Sequence, residues 1–168
     1  MLHFDVKVFE SYFVENLIDW SKGGPKLEGY TRSGPEIYVP EFNGFKKMIH
    51  LDLPPEQCLS KNKNEVNNWH ICFLKNHSNV LETNYYKEYL LPRYKEQSYK
   101  RAVAFIDLFK SIQENGFLRN YPVLVADVSS FNLGFDYFRF DGCHRASCAY
   151  VLGMESIPAL SFTLKDNR

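Results

Sequence analysis

The stretch FRFDGCHRASCAYVLGMESIPAL, Phe138 to Leu160, decides the fold that the sequence predicts. Residues Tyr137 to Phe140 alternate as a β-strand does. Ala146 to Leu152 is a compact apolar segment followed by Gly153, which predicts a helix that ends at a glycine cap. Between the strand and the helix lies DGCHR, residues 141–145. Polar and reactive side chains at such a junction are better suited to binding an anion than to packing in a core.

The rest of the chain predicts an α/β (α+β) domain. We expect strands at 48–53, 121–126 and 160–164, a helix from Asn84 to Leu91 that Pro92 breaks or kinks, and a helix over 94–114 that Gly116 stops. Residues 56–80 are polar, and KNKNEVNN, residues 61–68, predicts a solvated stretch. Helix, strand, loop, strand, helix and strand follow one another in a mixed fold.

Composition excludes several classes of protein. The chain has 168 residues, 45% of them hydrophobic, which is enough for one domain with a core. Lysine plus arginine and aspartate plus glutamate number 20 each, and this balance argues against a dedicated nucleic-acid binder. The cysteines lack zinc spacing, and no run approaches the roughly 18 apolar residues of a membrane span. We therefore expect a cytoplasmic protein with free thiols and no membrane partner.

The chemistry of the junction favours phosphate. A helix N-terminus offers unpaired N–H groups and a partial positive charge, and Gly142 lets the backbone approach a ligand closely. Arg145 and His144 can donate to phosphate oxygens, whereas Asp141 would suit a magnesium ion or the proton of a hydroxyl. The alternative is an ordinary turn, in which Asp141 caps the helix and Arg145 lies on the surface.

The junction resembles the ParB/sulfiredoxin superfamily. Phe140 to Arg145 matches the F-G-G-C-H-R signature of sulfiredoxins except at Asp141, and the D-G-x-R turn of ParB-like domains is present too. The alanine, the leucine-glycine pair and the I-P that follow this turn in ParB-like domains correspond to Ala149, Leu152-Gly153 and Ile157-Pro158. Upstream, residues 108–116 resemble the L-x-x-S-I-x-x-x-G helix end, and residues 121–125 resemble the P-I-x-V strand.

The resemblance implies a fold and a nucleotide site. It covers roughly residues 48–54 and 102–163, and it implies a small mixed sheet with flanking helices. The single domain, 1–168, would then carry an N-terminal extension, 1–45, and a helical insert, 57–101. In free serine kinases of this superfamily the equivalent turn binds the nucleotide, and a glutamate nearer the N-terminus is the base.

A small-molecule kinase fits more of the chain than its rivals. The resemblance implies that Gly142, Cys143, His144, Arg145 and Ser111 bind ATP or ADP. Asp141 would hold Mg²⁺ or the acceptor hydroxyl, His144 would assist, and Glu56, with Asp52 as a rival, would be the base. Tyr86, Tyr89 and Arg93 fall near one helical face and would form a wall for the acceptor, a sugar, polyol or amino acid. The alternative for that face is packing on the core.

Two other functions stay open. A sulfiredoxin-like reductase would use Cys143, whose thiol we expect to have a lowered pKa beside the helix N-terminus, His144 and Arg145. Against it, Asp141 replaces a glycine, and the phosphate-binding helix lysine of sulfiredoxins corresponds to Ala104. A ParB-like nucleotide- and DNA-binding protein would need a basic surplus and a helix-turn-helix domain, which the sequence lacks. His70 could be a ligand or a base, and we expect it to be a plain polar residue.

Overall fold

The computed structural model describes residues 45–59, 66–119, 121–127, 129 and 135–164. The predicted N-terminal extension, residues 1–45, therefore lies outside the described residues apart from its last position. Within the described ranges, four strands form one sheet: β1 (Phe45–Leu53), β2 (Val123–Asp127), β3 (Tyr137–Asp141) and β4 (Ile157–Leu164). Each coincides with a strand that the sequence predicts, to within a few residues at its ends.

The sheet is mixed. Its order is β1-β4-β2-β3, in which β4 runs antiparallel to β1 and parallel to β2, and β2 runs antiparallel to β3. Leu124 on β2 lies opposite Leu160 on β4. The strand β2 is buried from Val123 to Ala126, as expected for an inner strand covered on both faces. The predicted mixed α/β class is thereby confirmed.

Four α-helices occur in the described residues: α1 (Val66–Lys75), α2 (Leu91–Tyr94), α3 (Ser98–Asn115) and α4 (Cys143–Val151). Short 3₁₀ segments lie at Pro55–Cys58, His77–Glu82 and Lys95–Gln97, and a π-helical segment lies at Tyr85–Leu90. None of the described helices has both the length and the apolar character needed to cross a membrane.

The helix α4 connects β3 to β4 and places the DGCHR turn. Its buried face consists of Ala146, Ser147, Cys148 and Ala149, and such small side chains let it approach β2 and its neighbours closely. The helix ends at Gly153, which has φ 67°, and the N–H of Met154 donates to the carbonyl of Ala149 at 3.0 Å. This is the bond pattern of a glycine-capped helix end, as predicted.

The long helix α3 carries one apolar stripe. Ala102, Phe105, Phe109 and Ile112 are buried at helical spacing, and Gly116 ends the helix with φ 76°. The predicted start at Tyr94 is wrong by four residues, because Lys95 has φ 47° and separates α2 from α3.

The insert contains a helix that the sequence prediction missed. Residues 66–75 form α1, although this region is predicted to be polar and the solvated stretch to extend to residue 68. The helix forms because Phe73 and Leu74, one turn after the partly buried Trp69, pack into a core cluster with α3. Composition concealed this spacing.

Pro92 does not break the preceding helix, although a break is one of the two outcomes that the sequence predicts for it. The π-helical segment passes directly into α2, where Pro92 occupies the first turn and its missing N–H costs nothing. Burial of Tyr85 and Leu90 fixes this segment against α3. The tyrosines of the insert are thus brought next to the DGCHR turn.

Candidate functional site

A cavity of about 740 Å³ lies between α3, the insert and the amino end of α4. This volume falls within the usual range for small-molecule sites, roughly 300–1,000 Å³. It is lined by residues of the DGCHR turn, by one face of α3 with the segment that follows it, and by tyrosines of the insert, namely Tyr85, Tyr89 and Tyr94. Ser111 and all of 141–145 line it, so the structure brings together the residues of the predicted nucleotide site.

Gly142 shapes the turn between β3 and α4. Its φ of 93° and ψ of 23° are left-handed, and a Cβ there would lie 3.0 Å from Val123 Cγ2 and 3.2 Å from Val123 Cα. Only glycine fits both the conformation and the space. The turn can therefore press against β2, and the first intrahelical bond of α4 runs from the Ala146 N–H to the Gly142 carbonyl at 2.9 Å.

The N-cap residue of this helix is Gly142, which has no side chain to bond the first turn. Asp141, which the ordinary-turn alternative assigned to capping, instead pairs with Arg145 four residues later. The N–H groups of Cys143, His144 and Arg145 precede the first intrahelical bond and carry the positive end of the helix dipole. The positive end of the helix dipole therefore lies at the cavity that the DGCHR turn lines.

Arg145 binds the protein's own acceptors. Its Nη1 donates to the carbonyls of Tyr121 and Pro122, the latter at 3.1 Å, and its Nη2 lies 3.2 Å from Asp141 Oδ2. The Arg145 and Asp141 side chains are 18% and 8% exposed, so water screens this pair little. Arg145 lines the cavity, but its contacts tie α4 to the start of β2. The pair also neutralises Asp141, the one carboxylate that lines the cavity within the described part of the chain.

Cys143 has the opposite electrostatics to those expected. Burial raises the pKa of its thiol, and this effect outweighs the lowering by Arg139, which also hydrogen-bonds the sulfur. The expectation of a lowered pKa for Cys143 is therefore wrong. Cys58, Cys72 and Cys148 are free thiols as well, as predicted.

His70 is buried and lies beside Cys143. Its Nδ1 is 3.3 Å from Cys143 Sγ, and its ring contacts those of Tyr85, Phe105 and His144 at centroid distances of 4.8, 5.1 and 4.6 Å. Burial and the neighbouring His144 and Arg139 lower the pKa of His70 to about 2. It is therefore a neutral imidazole at physiological pH.

His144 is exposed to the cavity, and its imidazole is oriented by contacts with Tyr85 and Phe105. The Tyr85 hydroxyl lies 3.1 Å from its Nε2, and the Phe105 ring meets the imidazole edge-on at 4.6 Å. Burial raises the pKa of Tyr85, so its hydroxyl keeps its proton and can donate to the imidazole. These contacts hold His144 at the mouth of the turn.

Two further arginines line the cavity and were missed in the sequence. Arg139 lies two residues before Asp141 on β3, and its Nη1 is buried without a hydrogen-bond partner among the described residues. Arg101 lies on α3 with its guanidinium 3.8 Å from the centre of the Tyr94 ring. The period of two along β3 and the helical spacing of Arg101 and Phe105 could have indicated both.

Of the five remaining candidate residues, one lines the cavity and four do not. Tyr89 lines the cavity, whereas Tyr86 packs against the core cluster and Arg93 stacks on the Tyr89 ring at 4.2 Å without lining the cavity. Glu56 is exposed in the 3₁₀ turn after β1 and does not line the cavity either. Its rival Asp52 is exposed and lies 3.5 Å from Arg119.

The donor set fits a magnesium ion only in part. Within the described residues, no group of three or more histidine, cysteine, aspartate or glutamate side chains could hold a metal. Mg²⁺ in phosphoryl-transfer sites takes one or two carboxylates and otherwise water and substrate phosphates. Asp141 could supply one carboxylate, but Arg145 competes for it.

Comparison with known proteins assigns no function to this chain. No protein-family model matches the sequence, and no curated protein is significantly similar to it.

Proposed function

We propose that the cavity binds the phosphates of ATP or ADP at the amino end of α4 and that the protein transfers a phosphoryl group to a hydroxyl of a small molecule. The observation that carries this proposal is the charge of the cavity lining. The guanidinium groups of Arg101 and Arg139 line it, whereas Asp141, the one carboxylate among the described lining residues, is neutralised by Arg145.

The turn would hold the phosphates through its backbone. The N–H groups at the start of α4 point along the helix dipole, and Gly142 keeps this corner free of a side chain. His144 would add a donor from the mouth of the turn, and Ser111 would add a hydroxyl from the far end of α3. Arg145 would fix the turn rather than bind the phosphate directly, because its Nη atoms donate to protein oxygens.

The buried Nη1 of Arg139 supports the same reading. A guanidinium nitrogen without an acceptor is costly in a folded protein unless a ligand or an ordered water completes it. Arg139 also hydrogen-bonds Cys143, the first residue of α4. A phosphate oxygen at the turn would supply the missing acceptor.

With Nε2 accepting from Tyr85, the other ring nitrogen of His144 is a donor, so the hydroxyl proton would pass to the transferred phosphoryl group. We therefore propose His144, in place of Glu56, as the residue that donates to the acceptor and phosphate oxygens. It is exposed to the cavity and oriented by Tyr85, whereas Glu56 does not line the cavity. Phosphoryl transfer proceeds through a loose transition state, so alignment of the acceptor hydroxyl matters more than a strong base. Mg²⁺ would neutralise phosphate charge when it is bound, and Asp141 is the residue that would contact it.

We also propose that the chain is a member of the ParB/sulfiredoxin superfamily. The strand-turn-helix with its D-G-C-H-R residues and the four-stranded mixed sheet support this assignment. Cytoplasmic location belongs to the same proposal.

A thiol-dependent reaction is the second candidate, because Cys143 Sγ lies 3.3 Å from His70 Nδ1. A neutral imidazole at this distance could accept the thiol proton. The raised pKa of Cys143 opposes this candidate, since a reactive thiol needs its thiolate form.

Nucleotide binding is the experiment that tests the proposal. We expect ATP or ADP with Mg²⁺ to raise the midpoint of thermal unfolding of the wild-type protein by mass action. His144→Gln should weaken this stabilisation, whereas the control Lys100→Gln, on the exposed side of α3, should not. Phosphorylated product should then form from the matching alcohol. Equal midpoints with and without every nucleotide tested would contradict the proposal.

A further inference from the structure

The acceptor end of the cavity has its own chemistry. We propose, on the basis of the nucleotide site above, that the acceptor alcohol carries an anionic group, a carboxylate or a phosphate, which binds Arg101. Arg101 and the tyrosines Tyr89 and Tyr94, which line the cavity beside it, form what we call the tyrosine end.

The position of Arg101 on α3 separates this end from the phosphate turn. Phe105 lies one helical turn after Arg101, about 6 Å further along the axis of α3. The Phe105 ring contacts the His144 ring at a centroid distance of 4.6 Å. Ser111 lines the cavity about 15 Å from Arg101 along the same axis. An anion on Arg101 would therefore place the rest of a small acceptor beside His144.

Arg101 has donors to offer. Its guanidinium stacks 3.8 Å above the Tyr94 ring, and the N–H groups lie in the guanidinium plane, so stacking leaves its edge available for an oxyanion. The ion pairs among the described residues are Lys87–Glu82, Arg119–Asp52 and Arg145–Asp141. Within that part of the chain, no carboxylate pairs with Arg101.

The tyrosine faces are already covered. The Tyr89 ring stacks on Tyr85 at 5.5 Å with an interplanar angle of 15°, and Arg93 lies over it at 4.2 Å. Arg101 covers one face of the Tyr94 ring at 3.8 Å. A sugar ring would gain little by stacking on these covered rings, whereas their hydroxyls can donate to an anion. Burial and the neighbouring Tyr94 raise the pKa of Tyr89, which keeps its hydroxyl a donor.

The test compares matched alcohols with and without an anionic group, in the absence of nucleotide. Glycerate is set against glycerol and glucose 6-phosphate against glucose, with binding measured by calorimetry on wild type, Arg101→Gln and Lys100→Gln. Lys100→Gln removes the same charge from the same helix at an exposed position outside the cavity lining.

We expect at least one anionic member to bind about tenfold or more tightly than its neutral partner, a preference of roughly 1.4 kcal/mol. Arg101→Gln should abolish this preference and Lys100→Gln should keep it. Glycerate and glucose 6-phosphate distinguish a carboxylate from a phosphate.

Three results would overturn the inference: equal binding of neutral and anionic alcohols, a preference that survives Arg101→Gln, or no binding of either anion. Nucleotide titrations on the same preparations separate the two proposals. A wild-type protein that binds nucleotide but shows no anion preference refutes this inference alone. A wild-type protein that shows the anion preference but binds no nucleotide refutes the proposed nucleotide site alone.

Discussion

Replacing Gly142 with alanine should lower the free energy of unfolding by about 2–5 kcal/mol. The left-handed backbone, with φ 93°, costs roughly 1–2 kcal/mol in a residue that has a Cβ. The added methyl group would also lie 3.2 Å from Val123 Cα, a backbone atom of an inner strand. Relieving such overpacking typically costs about 1–3 kcal/mol more.

Urea unfolding followed by tryptophan fluorescence measures this loss by linear extrapolation. The matched control is Gly153→Ala, because Gly153 has φ 67° and no atom lies within 4 Å of the Cβ it would gain. The control should show the conformational part alone, roughly 1–2 kcal/mol. If both variants lose the same stability, the close approach of the turn to β2 does not exist and the reasoning is refuted.

Three further predictions concern the side chains around the turn. The pKa of His70 is about 2 when folded and 6.5 ordinarily, so the unfolded state takes up a proton first as the pH falls. Stability should therefore drop by about 1.4 kcal/mol from about pH 7.5 to about pH 5.5. Denaturant unfolding at both values should show a smaller drop in His70→Gln, and an equal drop would contradict the burial of His70. Arg145→Lys should cost about 1–3 kcal/mol of unfolding free energy, because a lysine cannot serve three acceptors in two directions; unchanged stability would show that these bonds do not form. Cys143→Ser should keep most phosphoryl transfer, and the wild-type thiol should react slowly with iodoacetamide at neutral pH because its pKa is raised. Complete loss of turnover would instead favour the thiol-dependent candidate.

Local patterns in the sequence predicted the sheet and the later helices. The strand β2 is an apolar run that ends at Asp127. Glycines with positive φ follow α3 and α4, so adjacent residues indicate where each of these helices ends. The helix α1 was missed because only packing against α3 reveals its apolar face.

The DGCHR turn could be predicted because its glycine is required locally: the backbone at Gly142 has a positive φ. His70 could not, because it meets Cys143 across 73 residues of chain. Arg101 and Arg139 come from elements with ordinary patterns, and only the tertiary fold turns them toward one cavity. The expected pKa of Cys143 was wrong because sequence shows neighbouring charges but does not show burial.

The most direct measurement is a crystal structure of the protein with ADP and Mg²⁺. The account predicts phosphate oxygens within hydrogen-bonding distance of the backbone N–H groups that begin α4, with His144 and the Nη1 of Arg139 as further donors. Nucleotide density elsewhere, with this corner of the cavity filled by water, would contradict it.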